Sequence, residues 1–149
     1  MPDQAGRRSP RHTTCFDELA AALRAHAEGL YCAQAAVELL IGHRRWLRRE
    51  DFVGRFVRLV PHVAGNGVLA VVAWRAAVRA LSTGRLPCSG GEGRVLRIAA
   101  GIAEGVPVDL AECLSTMDSV NIGLVVDAVY RAGGYAAPGG VGAGRGEWS

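Results

Sequence analysis

An all-α domain, a compact bundle of about six or seven short helices with at most one very short extended segment, is the fold class this sequence predicts. Three features predict it. Apolar residues recur at intervals of three and four along most of the chain. Glycines at 29, 42, 84, 105 and 133 close successive apolar-periodic runs. Residues 68 to 72 are the one β-branched run, and it is short.

Residues 1–13 are polar, with proline and three arginines, and are expected to be a disordered tail. Thr14, three residues before Asp17, opens a first helix carrying Phe16, Leu19, Ala20, Leu23 and Ala27, which Gly29 stops. A second helix is expected from about Ala33 to Ile41, ended by Gly42. A third starts near Arg48, carries Phe52, Val53, Phe56, Val57 and Val60, and is closed by Pro61. An unbroken helix from Arg44 would turn Arg45 and Arg49 into that stripe. A change of direction near Arg48–Glu50 is therefore expected, with Trp46 and Leu47 tucked in separately.

Asn66-Gly67 signals a turn, and Val68–Val72 is either extended or the first turn of the next helix. Trp74, Ala77, Val78 and Leu81 continue at helical spacing to Gly84. Ser89 and Glu92 form a capping box for a helix bearing Val95, Ile98, Ala99 and Ile102. Asp109 with Glu112 caps a short helix, and Asp118 or Ser119 caps the last, with Ile122, Val125, Val126 and Val129 expected inward. The single domain is expected over 14–133, with a disordered glycine-rich tail over 134–149.

No apolar run is long enough to span a membrane, and nothing resembles a secretory signal, so a cytoplasmic protein is expected. The 149 residues carry a formal charge of +3, and all 17 basic residues are arginine. The distribution is uneven. Arg44, Arg45, Arg48, Arg49, Arg55 and Arg58 face only Glu50 and Asp51, whereas Glu104, Asp109, Glu112, Asp118 and Asp127 fall in a stretch with no basic residue. Such a basic middle offers phosphate contacts, and a helix from Arg48 would set Arg48, Arg55 and Arg58 on one face as a candidate nucleic-acid surface. The same arginines also suit the solvated side of an amphipathic helix bridged to an acidic neighbour. The C-terminal three helices have the order of a helix-turn-helix with its turn at Met117–Ser119, but Asn121 alone does not equip the last to read a groove.

Cys15, Cys32, Cys88 and Cys113 are too scattered for a zinc motif, and His26 or His43 near Cys15 or Cys32 would not supply four ligands. His43 is expected to serve the end of the second helix in its protonated form. No cofactor and no metal are expected. Cys88 and Arg94, five residues apart across Ser-Gly-Gly-Glu-Gly, resemble the signature loop of the cysteine-dependent tyrosine and dual-specificity phosphatases. That resemblance implies a phosphate cradled by backbone N–H groups, clamped by Arg94 and attacked by a Cys88 thiolate. The chain departs from it in having Pro87 before the cysteine, Val95 after the arginine, Glu92 within the loop and almost no strand.

Over Ala35–Ile41, Asp51–Val53, Leu86–Arg94 and Asp109–Gly133 the chain is similar to a group of small actinobacterial helical proteins, a likeness that implies no activity. The expected function is a non-enzymatic protein–protein contact module. Its partner is another protein or a second copy, with basic and acidic faces joined in a salt-sensitive dimer. A nucleic-acid binder using Arg44–Arg58 and a phosphatase-like enzyme using Cys88 and Arg94 are the alternatives.

Overall fold

The computed structural model describes residues 15–65 and 67–138, and among them are seven α-helices and one two-stranded antiparallel sheet. In order these are α1 (Phe16–Ala27), α2 (Tyr31–His43), α3 (Glu50–Phe56), β1 (Val57–Pro61), β2 (Val68–Val72), α4 (Trp74–Ser82), α5 (Gly90–Glu104), α6 (Leu110–Ser115) and α7 (Ser119–Ala132). The all-α class stands, with the hairpin as a small appendage.

α2 is the centre of the molecule, packing against α1, α5 and α7, while α4 and α6 lie on α5 and the hairpin lies on α1. Its Ala35, Ala36, Leu39 and Leu40 are buried, and small alanines let three neighbours approach one helix. At Gly42 a Cβ would come within 2.8 Å of Leu124 of α7, so this glycine lies inside the helix as a contact point instead of ending it. The helix opens at Tyr31, two residues before the expected start, and closes at His43.

The third helix departs most from expectation. α3 stops at Phe56, and residues Val57–Pro61 are a strand paired with Val68–Val72 in the register Val57↔Val72, Leu59↔Ala70, Pro61↔Val68. The spacing of Val57 and Val60 fits the helical pattern of α3, but the β-branched run downstream supplies cross-strand partners that a helix would leave unused. The His62 N–H donates to the Gly67 carbonyl at 3.0 Å to close the hairpin. Asn66, half of the expected turn signal, lies outside the described residues.

Sequence caps hold at the later helices: the side chains of Ser89, Asp109 and Asp118 accept from the N–H groups of Glu92, Glu112 and Asn121. Cys15 occupies the N-cap of α1 without a side-chain cap, and Thr14 lies outside the described residues. So do the expected tail over 1–13 and residues 139–149 of the expected tail over 134–149. Residues 134–138 fold back on the domain: the Tyr135 N–H donates to the Tyr130 carbonyl at 2.9 Å, and Ala137 is buried.

α7 is rotated relative to expectation. Val125 and Ala128 are buried and Leu124 and Ala132 pack on the core, whereas Val126 and Val129 face outward at 42% and 58% exposure. Asn121, Leu124, Val125, Ala128 and Ala132 form the inward face, because α7 is set by the close approach of Leu124 to Gly42. Among the described residues no helix is long and apolar enough to cross a membrane.

Candidate functional site

The sequence Arg-Arg-Trp-Leu-Arg-Arg, residues 44–49, builds a densely basic turn. Trp46 and Leu47 are both buried. The Trp46 indole N–H donates to the Glu92 carbonyl at 2.9 Å, and its ring sits 5.1 Å from that of Phe52. Burying this pair requires the chain to reverse after α2 and make a 3₁₀ turn at Trp46–Arg48. Arg44 makes the reversal. Its φ of 67° and ψ of −33°, with the Arg45 N–H donating to the His43 carbonyl at 2.9 Å, define a γ-turn of the rarer positive-φ form. Among the described residues it is the one non-glycine with positive φ.

With the tryptophan and leucine inside, the flanking arginines are displayed on both sides. The guanidinium carbons of Arg44 and Arg48 lie 5.9 and 5.5 Å from the centroid of the same ring, Phe16. Arg49 lies 4.8 Å over Trp46, donates to both Asp51 oxygens at 3.0 and 2.6 Å, and donates to the Pro87 carbonyl at 2.7 Å. Glu92 approaches Arg45 at 3.9 Å and Arg49 at 3.7 Å. Together His43, Arg44, Arg45, Arg48, Arg49 and Glu92 line a concavity of about 520 Å³. His43 is half-buried and its Nδ1 has no hydrogen-bond partner. Burial lowers its pKa below the ordinary imidazole value, with Arg45 adding to the shift and Glu92 and Asp118 opposing it. The expected protonated helix-end histidine is thus disfavoured, because desolvation outweighs the nearby carboxylates.

Of the three arginines expected on one helical face, only Arg48 belongs to this cluster. The switch to β1 at Val57 places Arg58 on a strand opposite Val71. Arg55 donates to the Arg85 carbonyl at 2.8 Å and lies 4.8 Å over Phe56. Arg55 and Arg58 line a different groove of about 350 Å³, with Gly54, Val60, Val71 and Ala73. The proposed Arg48–Arg55–Arg58 stripe is therefore two separate features.

The Cys88–Arg94 segment is a capped helix start. α5 is helical from Gly90, and the Gly93 N–H donates to the Ser89 carbonyl at 3.1 Å, so the loop's amides run along the helix instead of ringing an anion. Cys88 Sγ rests 3.3 Å from where a Gly93 Cβ would stand. Its pKa is raised, by burial first and then by Glu92, against the weaker pull of Arg49 and Arg97. Arg94 folds over Gly90, and its charge bears on Cys113. The charges that bear on Cys88 are those of Glu92, Arg49 and Arg97.

Two features escaped the sequence reading. Tyr31 and Tyr135 flank a cleft of about 340 Å³ with Arg24, Glu38 and Arg131, where Gly134, at φ +85°, comes close enough to Tyr31 that a Cβ would lie 3.1 Å from the ring. The other is the outward face of α7, where Gly123, Val126, Val129 and Tyr130 are all exposed. Among the described residues no three His, Cys, Asp or Glu side chains are grouped as a metal site would need. In comparisons with protein-family models, with curated proteins and with solved structures, the chain matches none.

Proposed function

We propose that this protein is a non-enzymatic, cytoplasmic helical contact module that associates with a second copy through the outward face of α7. The observation that carries the reading is the stripe of Val126, Val129 and Tyr130, exposed by 42%, 58% and 42%, beside half-buried Ile122. These recur at helical spacing on the side opposite the core, and an apolar stripe of this kind is the usual seam of helix–helix association. Gly123 lies on the same face with open space where its Cβ would be, a recess in which a partner's side chain can seat.

An antiparallel pairing of two α7 helices about Val126 is self-complementary. It sets Gly123 of each copy opposite the partner's Val129, and Ile122 opposite the partner's Tyr130. The contact is isologous, with the same patch used on both copies. The likeness to small actinobacterial helical proteins is part of this reading and attaches no reaction to it. The nucleic-acid alternative is less favoured because its arginines are divided between two grooves.

Sedimentation equilibrium across a concentration series tests the proposal. The full chain is expected to move reversibly between monomer and dimer, and Val126→Glu/Val129→Glu to remain monomeric with unchanged far-ultraviolet circular dichroism. A wild-type chain that stays monomeric throughout, or a folded double variant that dimerises equally well, would overturn it.

A further inference from the structure

We propose that the concavity between the end of α2 and the start of α5 binds a compact polyphosphate anion, held by Arg44, Arg45 and Arg48 against a fixed wall formed by Arg49. The inference is independent of the α7 contact and rests on different residues.

Charge is the first argument. Four guanidinium groups and His43 surround the concavity, and Glu92 is the one carboxylate in its lining. Glu92 stands at 3.9 and 3.7 Å from Arg45 and Arg49, one carboxylate shared between two guanidinium groups without a short hydrogen bond to either. Arg49 is engaged by Asp51 and the Pro87 carbonyl, so it is oriented and does not need the ligand to order it. Asp51 and Glu92 offset part of the charge of Arg49 and Arg45 and leave that of Arg44 and Arg48. Among the described residues, Arg44 and Arg48 have no carboxylate within salt-bridge distance.

The second argument is preorganisation against repulsion. Arg44 and Arg48 are both drawn to the Phe16 ring, which holds two like charges in one neighbourhood. Planar guanidinium forks match phosphate oxygens, and an anion between these two relieves their repulsion.

The third is backbone strain. Arg44 holds a positive-φ γ-turn that glycine would adopt without penalty. Non-glycine residues in such conformations are concentrated at ligand clamps. Here the strained residue is also the one that carries a cation into the concavity.

The number of cations selects the ligand. Arg44, Arg45 and Arg48 line one open concavity, and three guanidinium groups suit linked phosphates better than a single one. A nucleic-acid strand would need a continuous track of cations, and the next arginines, Arg55 and Arg58, line another groove.

Calorimetric titration of the full chain with inorganic pyrophosphate and tripolyphosphate, with sulfate as control, tests the assignment. Saturable binding to one site is expected, tighter for tripolyphosphate than for sulfate. Arg44→Ala/Arg48→Ala should weaken it at least about tenfold, since each lost bond to a charged group is worth roughly that factor. Arg55→Ala/Arg58→Ala and Val126→Glu/Val129→Glu should leave it unchanged. Arg44→Gly and Arg44→Ala should weaken binding alike, while the glycine variant melts about 2–4 °C above the alanine variant through relief of the turn. The assignment is overturned by an absence of saturable binding, or by equal affinity in Arg44→Ala/Arg48→Ala. It is also overturned if a single-stranded oligonucleotide binds far more tightly than tripolyphosphate and loses that advantage in Arg55→Ala/Arg58→Ala, which would make the surface a nucleic-acid track.

Discussion

His43 joins the core to the charged turn, and its chemistry can be read from its surroundings. The groups facing it are Arg45 in the turn, Glu92 on α5 and Asp118 at the cap of α7, and burial outweighs the two carboxylates to lower its pKa. An unfolded chain takes up a proton on this imidazole near pH 6.5, whereas the folded chain resists it to lower pH. The neutral histidine therefore contributes stability that is complete above about pH 6.5 and is lost as pH falls toward the folded value. Thermal denaturation of wild type and His43→Gln from about pH 7.5 to 5 should show a steeper fall in Tm for wild type, since most carboxylates titrate below that window. Parallel curves would show that His43 is solvated in the folded state. At this scale the sequence was partly legible. Trp46 and Leu47 between two arginine pairs marked a buried turn, but the partner that binds the indole is a main-chain carbonyl 46 residues away, which spacing alone does not reveal.

Element boundaries follow the same division between local and distant causes. The caps of α5, α6 and α7 were legible because each is a side chain bonding an amide three residues on, a relation written in adjacent letters. Asp118 makes two such contacts, to the Asn121 N–H at 2.9 Å and to its side-chain amide at 2.8 Å. Asp118→Ala should destabilise the domain by about 1 kcal/mol, read as a Tm lowered by about 2–4 °C, with most of the loss restored by Asp118→Asn. An unchanged Tm in Asp118→Ala would mean that packing of α7 on α2 holds the helix without its cap. The end of α3 was illegible for the converse reason. Val57 and Val60 continue the helical spacing, and the strand is chosen by pairing with residues 68–72 across the hairpin. The rotation of α7 has a similar origin: four apolar positions competed for the core, and the recess at Gly42 of α2 admits Leu124, which places Val126 and Val129 outside.

At the scale of the molecule, the uneven charge of the sequence has two structural outlets that salt separates. A dimer that joined the basic middle of one copy to the acidic end of another would dissociate as ionic strength rises, because exposed charges are screened beyond about 8 Å at physiological salt and closer still above it. The structure engages one charge of each stretch within one copy, Arg49 with Asp51 and Glu104 with Arg75. What α7 leaves outward is apolar, and burial of apolar surface is not weakened by screening. Dimerisation through Val126 and Val129 should therefore persist, or strengthen, from about 0.05 to 0.5 M sodium chloride, while tripolyphosphate binding at the Arg44–Arg49 turn weakens steeply over the same range. Sedimentation and calorimetry on one preparation across that series would read both. Dissociation of the dimer in parallel with loss of the anion would place the subunit contact at the arginines instead of at α7, and Arg44→Ala/Arg48→Ala would then abolish it.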